Sequence, residues 1–279
     1  MNSWVTGHLT GGIGNRLFQH AAAAGLSEKW KIPLVFCLSE CEPTNHGPFN
    51  NIFKLFPSIP LVDSCPSVKR LAEQPGGAFL YTAFPSSPPA DYTSVDGWRQ
   101  TELYFPSQGI HPNFQSAISV ERRNELEREF HLETKENRRQ TWFLHMRLGD
   151  YKILPHHQID LHSYYSQAAQ HIPKGSRVLL FSDELDKYGI YLQGLLRQMG
   201  IEVDLAPIPD ELESLYVMSL CWGGAVVANS TFSWWGAYFA KQATSDPSSF
   251  VAVYPNKWGN GLPMAKDVVP AWGIRIQNT

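Results

Sequence analysis

Four stretches of this 279-residue sequence place polar or charged side chains directly behind a short apolar run. The run TWFLHM continues into RLGDYK and carries His145, Arg147 and Asp150 to the end of an expected strand. Alternation sets His145 and Arg147 on one face of that strand, with Leu144 and Met146 on the other. A guanidinium there can grip a phosphate with two parallel N–H donors. The plainer alternative is a structural pair between Arg147 and Asp150. The run RVLLF leads into Ser182 and Asp183. Both are common helix N-caps. Asp183 and Glu184 are sequence neighbours that diverge, a poor match to the facing carboxylates of a glycoside hydrolase. The run GAVVA ends in Asn229, Ser230 and Thr231, which can cap a helix whose first N–H groups form an anion site. Together with Arg147 this makes a pyrophosphate clamp. Trp234 and Trp235 read as core that locks this helix end, with one of them facing a ligand ring as the weaker alternative.

The remaining stretch, TGGIGNRLF, supplies Gly11, Gly12 and Gly14 for a tight turn before a helix. It matches half of a dinucleotide fingerprint. Leu17 stands where the third glycine would be, and no acidic residue other than nearby Glu40 closes the second strand, so NAD binding is disfavoured.

The elements that must position these residues follow from periodicity. Strands are expected at Trp4–Leu9, Pro33–Leu38 and Thr93–Trp98, with a helix from Asn15 and another at Ser116–Leu132. Ser39–Ser94 is rich in Pro, Gly, Ser and Asn and reads as long loops around short elements. KENRRQ reads as a linker. Beyond it strands are expected at Thr141–Met146, Arg177–Phe181, Ile201–Leu205 and Ala225–Ala228. They alternate with helices at Leu161–Ile172, Asp186–Met199, Glu211–Cys221 and Thr231–Gln242. That alternation gives right-handed βαβ units and a parallel sheet. The expected organisation is therefore two α/β domains, 1–135 and 136–279, with the ligand between them at the carboxyl ends of the strands.

Hydrophobic residues make up 43% and charged residues 18%, which excludes a disordered chain. A net charge of −3 leaves no electrostatic footprint for nucleic acid. Cys37, Cys41, Cys65 and Cys221 fit no zinc spacing and are expected as reduced thiols of a cytoplasmic protein. No signal peptide or membrane-spanning run is expected; peripheral membrane association is left open.

The same stretches resemble the α-1,2-fucosyltransferases (glycosyltransferase family 11-like). GGIGNRLFQHA is similar to their GGxGNQxFQYA, HMRLGDY to HxRRGDY, FSDELD to FSDD, and NSTFSWWGAY to NSTFSWWGA. VDGWRQTELYF, MSLC and YPNKW with DVVPAW also fit, so the likeness runs through most of the chain. The resemblance implies a GT-B-like fold of two Rossmann-type domains. It implies inverting transfer of L-fucose from GDP-β-L-fucose to the 2-hydroxyl of a terminal galactose, without a metal or other cofactor. It assigns Arg147 and His145 to the donor phosphates, and Ser230, Thr231 and Ser233 to the same site. Ser182, Asp183, Glu213 and Asn229 join them on the donor side, and Gly14 and Asn15 lie across the cleft. Asp96, Trp98 and Gln100 are the acceptor-side candidates.

This sequence departs from the family in three places. Leu148 replaces the second arginine, Arg16 the usual glutamine, and Ser214 an acidic residue through which guanine could be read, with Glu213 beside it. The catalytic base is open among Asp150, Asp160, His156 and His157. Alternatives to α-1,2 transfer are another fucosyl or GDP-sugar transfer, or a non-catalytic GDP-sugar- or glycan-binding protein.

Overall fold

The structure is a computed structural model and describes residues 3–64, 67–74, 77–185, 187–259 and 266–277. It divides into two compact units: residues 1–117 with 265–270, and residues 118–264 with 271–279.

The first unit contains β1 (Trp4–Gly7), α1 (Ile13–Trp30), β2 (Phe36–Cys37), α2 (Asn51–Leu55), β3 (Leu61–Val62), β4 (Lys69–Leu71), β5 (Tyr92–Val95) and α3 (Phe114–Ala117). Its sheet has the order β1-β5-β4, with β2 and β3 paired separately, and every pairing is parallel. Val5, Ala22, Ala23, Leu26, Val95 and Tyr104 pack as a core between the sheet and α1. The short elements expected within 39–94 include α2, β3, β4 and the start of β5. Much of this stretch is fixed by buried arginines. Arg16 Nη1 donates to Pro48 O (2.9 Å) and Nη2 to Thr44 Oγ1 (3.2 Å). Arg99 Nη2 donates to Leu71 O (2.7 Å) and Nε to Asp96 O (3.0 Å).

The second unit contains α4 (Val120–Glu129), α5 (Lys135–Gln140), β6 (Thr141–Met146), α6 (Leu161–Ala168), β7 (Arg177–Ser182), α7 (Lys187–Gln198), β8 (Glu202–Leu205), α8 (Glu211–Ser219), β9 (Gly224–Val226), α9 (Thr231–Ala243), β10 (Val251–Pro255) and β11 (Ile274–Ile276). Its six strands lie in the order β11-β10-β9-β6-β7-β8, all parallel. Every residue of β6 is buried, as a central strand covered on both faces requires.

Several expectations change. KENRRQ is not a linker but α5. Thr134 caps it by accepting the Asn137 N–H (3.1 Å), and Arg138 ties it to Glu127 of α4 (2.8 Å). The boundary therefore falls ahead of residue 118, not near 135. The single helix expected at Ser116–Leu132 is broken, because Ser119 accepts the Arg122 N–H (3.2 Å) and starts a new helix. Strands β10 and β11 lie outside the elements expected from periodicity. Asp186, read as a helix start, and Cys65 lie outside the described residues. Cys37 is disulfide-bonded, so the four cysteines are not all reduced thiols. Cys41 and Cys221 are free. Among the described residues no helix is long and apolar enough to cross a membrane.

Candidate functional site

In the second unit the chain runs from β6 outward through β7 to β8, then returns to the other side of β6 for β9, β10 and β11. Open parallel sheets bind ligands at such a reversal, in the crevice beyond the carboxyl ends of the two adjacent strands. The segments leaving β6 and β9 are therefore the ones to inspect, and they carry Arg147 and Asn229–Thr231.

Arg147 is fixed from three directions. Its Nη2 donates to Asp150 Oδ1 (2.6 Å) and its Nη1 pairs with Asp183 Oδ2 (2.7 Å). Its guanidinium lies over the Tyr151 ring, 5.4 Å from the centroid. Asp183 also accepts the Leu148 N–H at Oδ1 (2.9 Å). Gly149 makes room for this, since a Cβ there would stand 2.4 Å from Asp183 Oδ2. Leu148 points into the core, so the missing second arginine leaves the strand face of Arg147 intact.

Tyr151 extends the network. Its hydroxyl donates to Asn229 O (3.2 Å), and its ring stacks on His157 at 4.3 Å with an interplanar angle of 9°. Asn229 Nδ2 donates to His157 O (2.8 Å) and Trp258 O (3.1 Å). The loops leaving β6 and β9 are thereby knitted together.

His145 is 6% exposed, and its Nδ1 is buried without a hydrogen-bond partner. Burial, aided by the Arg147 charge, pushes its pKa down to about 3. At neutral pH it is a neutral imidazole able to donate a hydrogen bond, not a cation. Burial first, then the neighbouring His156, lowers His157 as well.

At the start of α9, Ser230 sits extended and its hydroxyl makes no capping bond. Ser233 Oγ accepts the Ala228 N–H (3.2 Å) and donates to Ser230 O (3.3 Å). Trp234 and Trp235 are fully buried, so neither faces a ligand. Other sequence candidates are tied up locally. Ser182 Oγ accepts the Glu184 N–H (3.0 Å), Asp160 accepts the Ser163 N–H (3.0 Å), and Glu213 takes a bidentate pair from Arg122 (2.9 and 2.8 Å). Ser214 is buried and donates to Ile208 O (3.1 Å). Asp183 and Glu184 diverge as expected, Asp183 to Arg147 and Glu184 to Lys152.

In the first unit the glycine turn meets the other candidates. Gly11 has φ +76°, and a Cβ on it would lie 2.7 Å from Asn15 Nδ2 and 3.3 Å from the Trp98 ring. Gln100 Nε2 donates to Asn15 Oδ1 (3.2 Å), while Gln100 Oε1 is buried without a partner. Gly14 is buried in the first turn of α1. Trp98 is 41% exposed above this turn. Its loop is shaped by Glu73, which accepts the N–H groups of Trp98 (2.9 Å) and Arg99 (3.0 Å). Asp96 Oδ1 accepts the Gly97 N–H (2.8 Å). An exposed indole beside two amides is a surface for a polar ring with one apolar face.

Sequence reasoning missed Tyr151, Gly149 and Glu73. The first two were visible only as part of the RLGDY string. Glu73 has no sequence signal, because it lies in the aperiodic stretch. Among the described residues no three His, Cys, Asp or Glu are grouped to hold a metal ion.

No family model matches the sequence. The O-antigen biosynthesis glycosyltransferase WbnK of Escherichia coli is 28% identical over 147 residues, 47% of this chain and 43% of that protein. The match thus spans under half the length of the curated relative. POFUT1 in complex with GDP-fucose aligns with 91% of this chain and 98% of its own, at 11% identity and a TM-score of 0.50. The NodZ α-1,6-fucosyltransferase co-crystallized with GDP aligns with 85% of this chain and 92% of its own, at 14% identity and a TM-score of 0.49. At such identities the POFUT1 likeness carries the fold: an α/β chain with parallel sheets, GT-B-like with Rossmann-like units.

Proposed function

We propose that this chain is a glycosyltransferase that moves L-fucose from GDP-β-L-fucose to the 2-hydroxyl of a terminal galactose, with inversion and without a metal ion. The observation that carries this is Arg147, held by two carboxylates and an aromatic face at the reversal point of the sheet. A nearby glycosyltransferase relative and a fold that in POFUT1 holds GDP-fucose support it.

In this reaction negative charge builds on the β-phosphate as the bond to the sugar breaks. A fixed guanidinium stabilises that charge, as a divalent cation does in other transferases. The first turn of α9, with Ser230 and Thr231, adds N–H and hydroxyl donors. His145 supplies a neutral donor beside them. In the first unit, Trp98 takes the apolar face of the acceptor sugar, while Asp96 and Gln100 take hydroxyls. Asp150 is the base assigned to the acceptor proton.

The test is GDP release from GDP-fucose, with and without lactose or N-acetyllactosamine, in EDTA. Acceptor-dependent release with an α-1,2 product by NMR is expected. Another linkage, or release abolished by EDTA, would overturn the finer assignment. GDP-induced thermal stabilisation without any turnover would point to a binding protein.

A further inference from the structure

The two carboxylates that hold Arg147 are not held alike. Asp183 receives both the Arg147 Nη1 pair and the Leu148 backbone N–H, and it is packed against Gly149. Asp150 receives only Arg147 Nη2, and its side chain is 33% exposed. A diphosphate that reaches Arg147 competes with these carboxylates for the guanidinium, and the less firmly held partner is the one it can exchange. Removing Asp183 would strand a backbone N–H and move packed atoms; removing Asp150 would do neither.

We propose that Asp183 is a positioning residue that keeps Arg147 aimed at the crevice, and that Asp150 is a releasable partner exchanged for the donor diphosphate. Donor binding thereby sets Asp150 free for the acceptor. The acceptor O–H bond breaks and its proton passes to the Asp150 carboxylate. The acceptor oxygen bonds to the anomeric carbon of fucose. The bond from that carbon to the phosphate oxygen breaks, and its electron pair leaves with GDP. This rests on the donor reading above and adds an order to it: donor first, then base.

The test is calorimetric titration of GDP into the full chain and its variants, with kcat measured alongside. Asp183→Asn is expected to weaken GDP by about tenfold or more, the size of one lost charge-assisted bond. Gly149→Ala should do the same by pushing the Asp183 carboxylate off Arg147, and it keeps both charges if Asp183→Asn fails to fold. Asp150→Asn should bind GDP as tightly as the parent or more tightly, because a competitor is gone, while its kcat falls about a hundredfold. Equal weakening of GDP by Asp150→Asn and Asp183→Asn would overturn the inequality. So would unaltered GDP affinity in Gly149→Ala. If the parent chain binds no GDP, the donor reading itself falls and the proposal with it. That outcome is distinct, because the other two require a parent that binds.

Discussion

One arginine in each unit is held in an opposite way. In the second unit Arg147 stands just beyond the carboxyl end of the central strand β6, partly exposed, between the carboxylates of Asp150 and Asp183. In the first unit Arg99 is 3% exposed, lies over the rings of Phe84 and Tyr104, and gives its N–H groups to the carbonyls of Leu71 and Asp96 and to the Tyr104 hydroxyl. One guanidinium is paired with carboxylates beside the sheet's point of reversal. The other adds a second donor to Leu71 O, which already accepts the Asp96 N–H, and ties the end of β4 to the turn behind β5.

Arg147→Ala sharpens this contrast most. It should cost roughly 3–4 kcal/mol of transition-state stabilisation in kcat/KM, by comparison with loss of a single oxyanion donor, while the melting temperature holds. Arg147→Lys should also be poor, since a point charge does not reproduce the planar fork. Arg99→Ala should reverse the pattern. Losing the buried guanidinium, its packing over two rings and its three hydrogen bonds predicts a loss of about 3 kcal/mol in a denaturant titration. If Arg99→Ala instead spared stability and removed activity, the division of labour would be wrong.

Smaller effects separate the units by pH and by ligand. His20 is packed between Phe36 and Phe56 in the first unit, and burial pushes its pKa down to about 3. The unfolded chain takes up a proton below the ordinary value of 6.5 while the folded chain does not. Between these values the unfolded state binds more protons, so stability falls as pH falls. At pH 5 this amounts to about 2 kcal/mol for His20. Denaturant titrations at pH 7 and pH 5 should show His20→Phe losing less than the parent; an equal loss would refute the assignment. The smallest effect is expected from Trp98→Ala, about 1 kcal/mol in acceptor KM with donor KM unchanged. A change in donor KM would move Trp98 to the other substrate.

Legibility in the sequence divides along the same line. In the second unit β6 and β7 emerge from periodicity almost to the residue, because a buried parallel strand is a continuous apolar run between polar ends. Arg147, Asp150 and Asp183 fall at those ends and could be picked out. The Arg147–Asp150 pair is legible from its spacing, but the Asp183 contact is not, since Asp183 reaches Arg147 across neighbouring strands. In the first unit β3 and β4 hold two and three residues, too short for any period to register. Glu73 and Arg99 do their work through single side-chain-to-backbone bonds, which leave no pattern to detect. KENRRQ was misread for a related reason: polarity alone does not distinguish a linker from a short helix tied down by a cap and one ion pair.

The strand order has a consequence in time as well as in space. Trp142 of β6 pairs with Gly224 of β9, and β7, β8 and their helices all intervene in the chain. The crevice that holds Arg147 beside α9 therefore comes into being only when a distant segment has returned, and closing such separations is the slow part of folding. Nothing that precedes β9 in synthesis can bind a ligand there. On the proposed donor reading, recovery of GDP binding during refolding should therefore lag the recovery of helical signal.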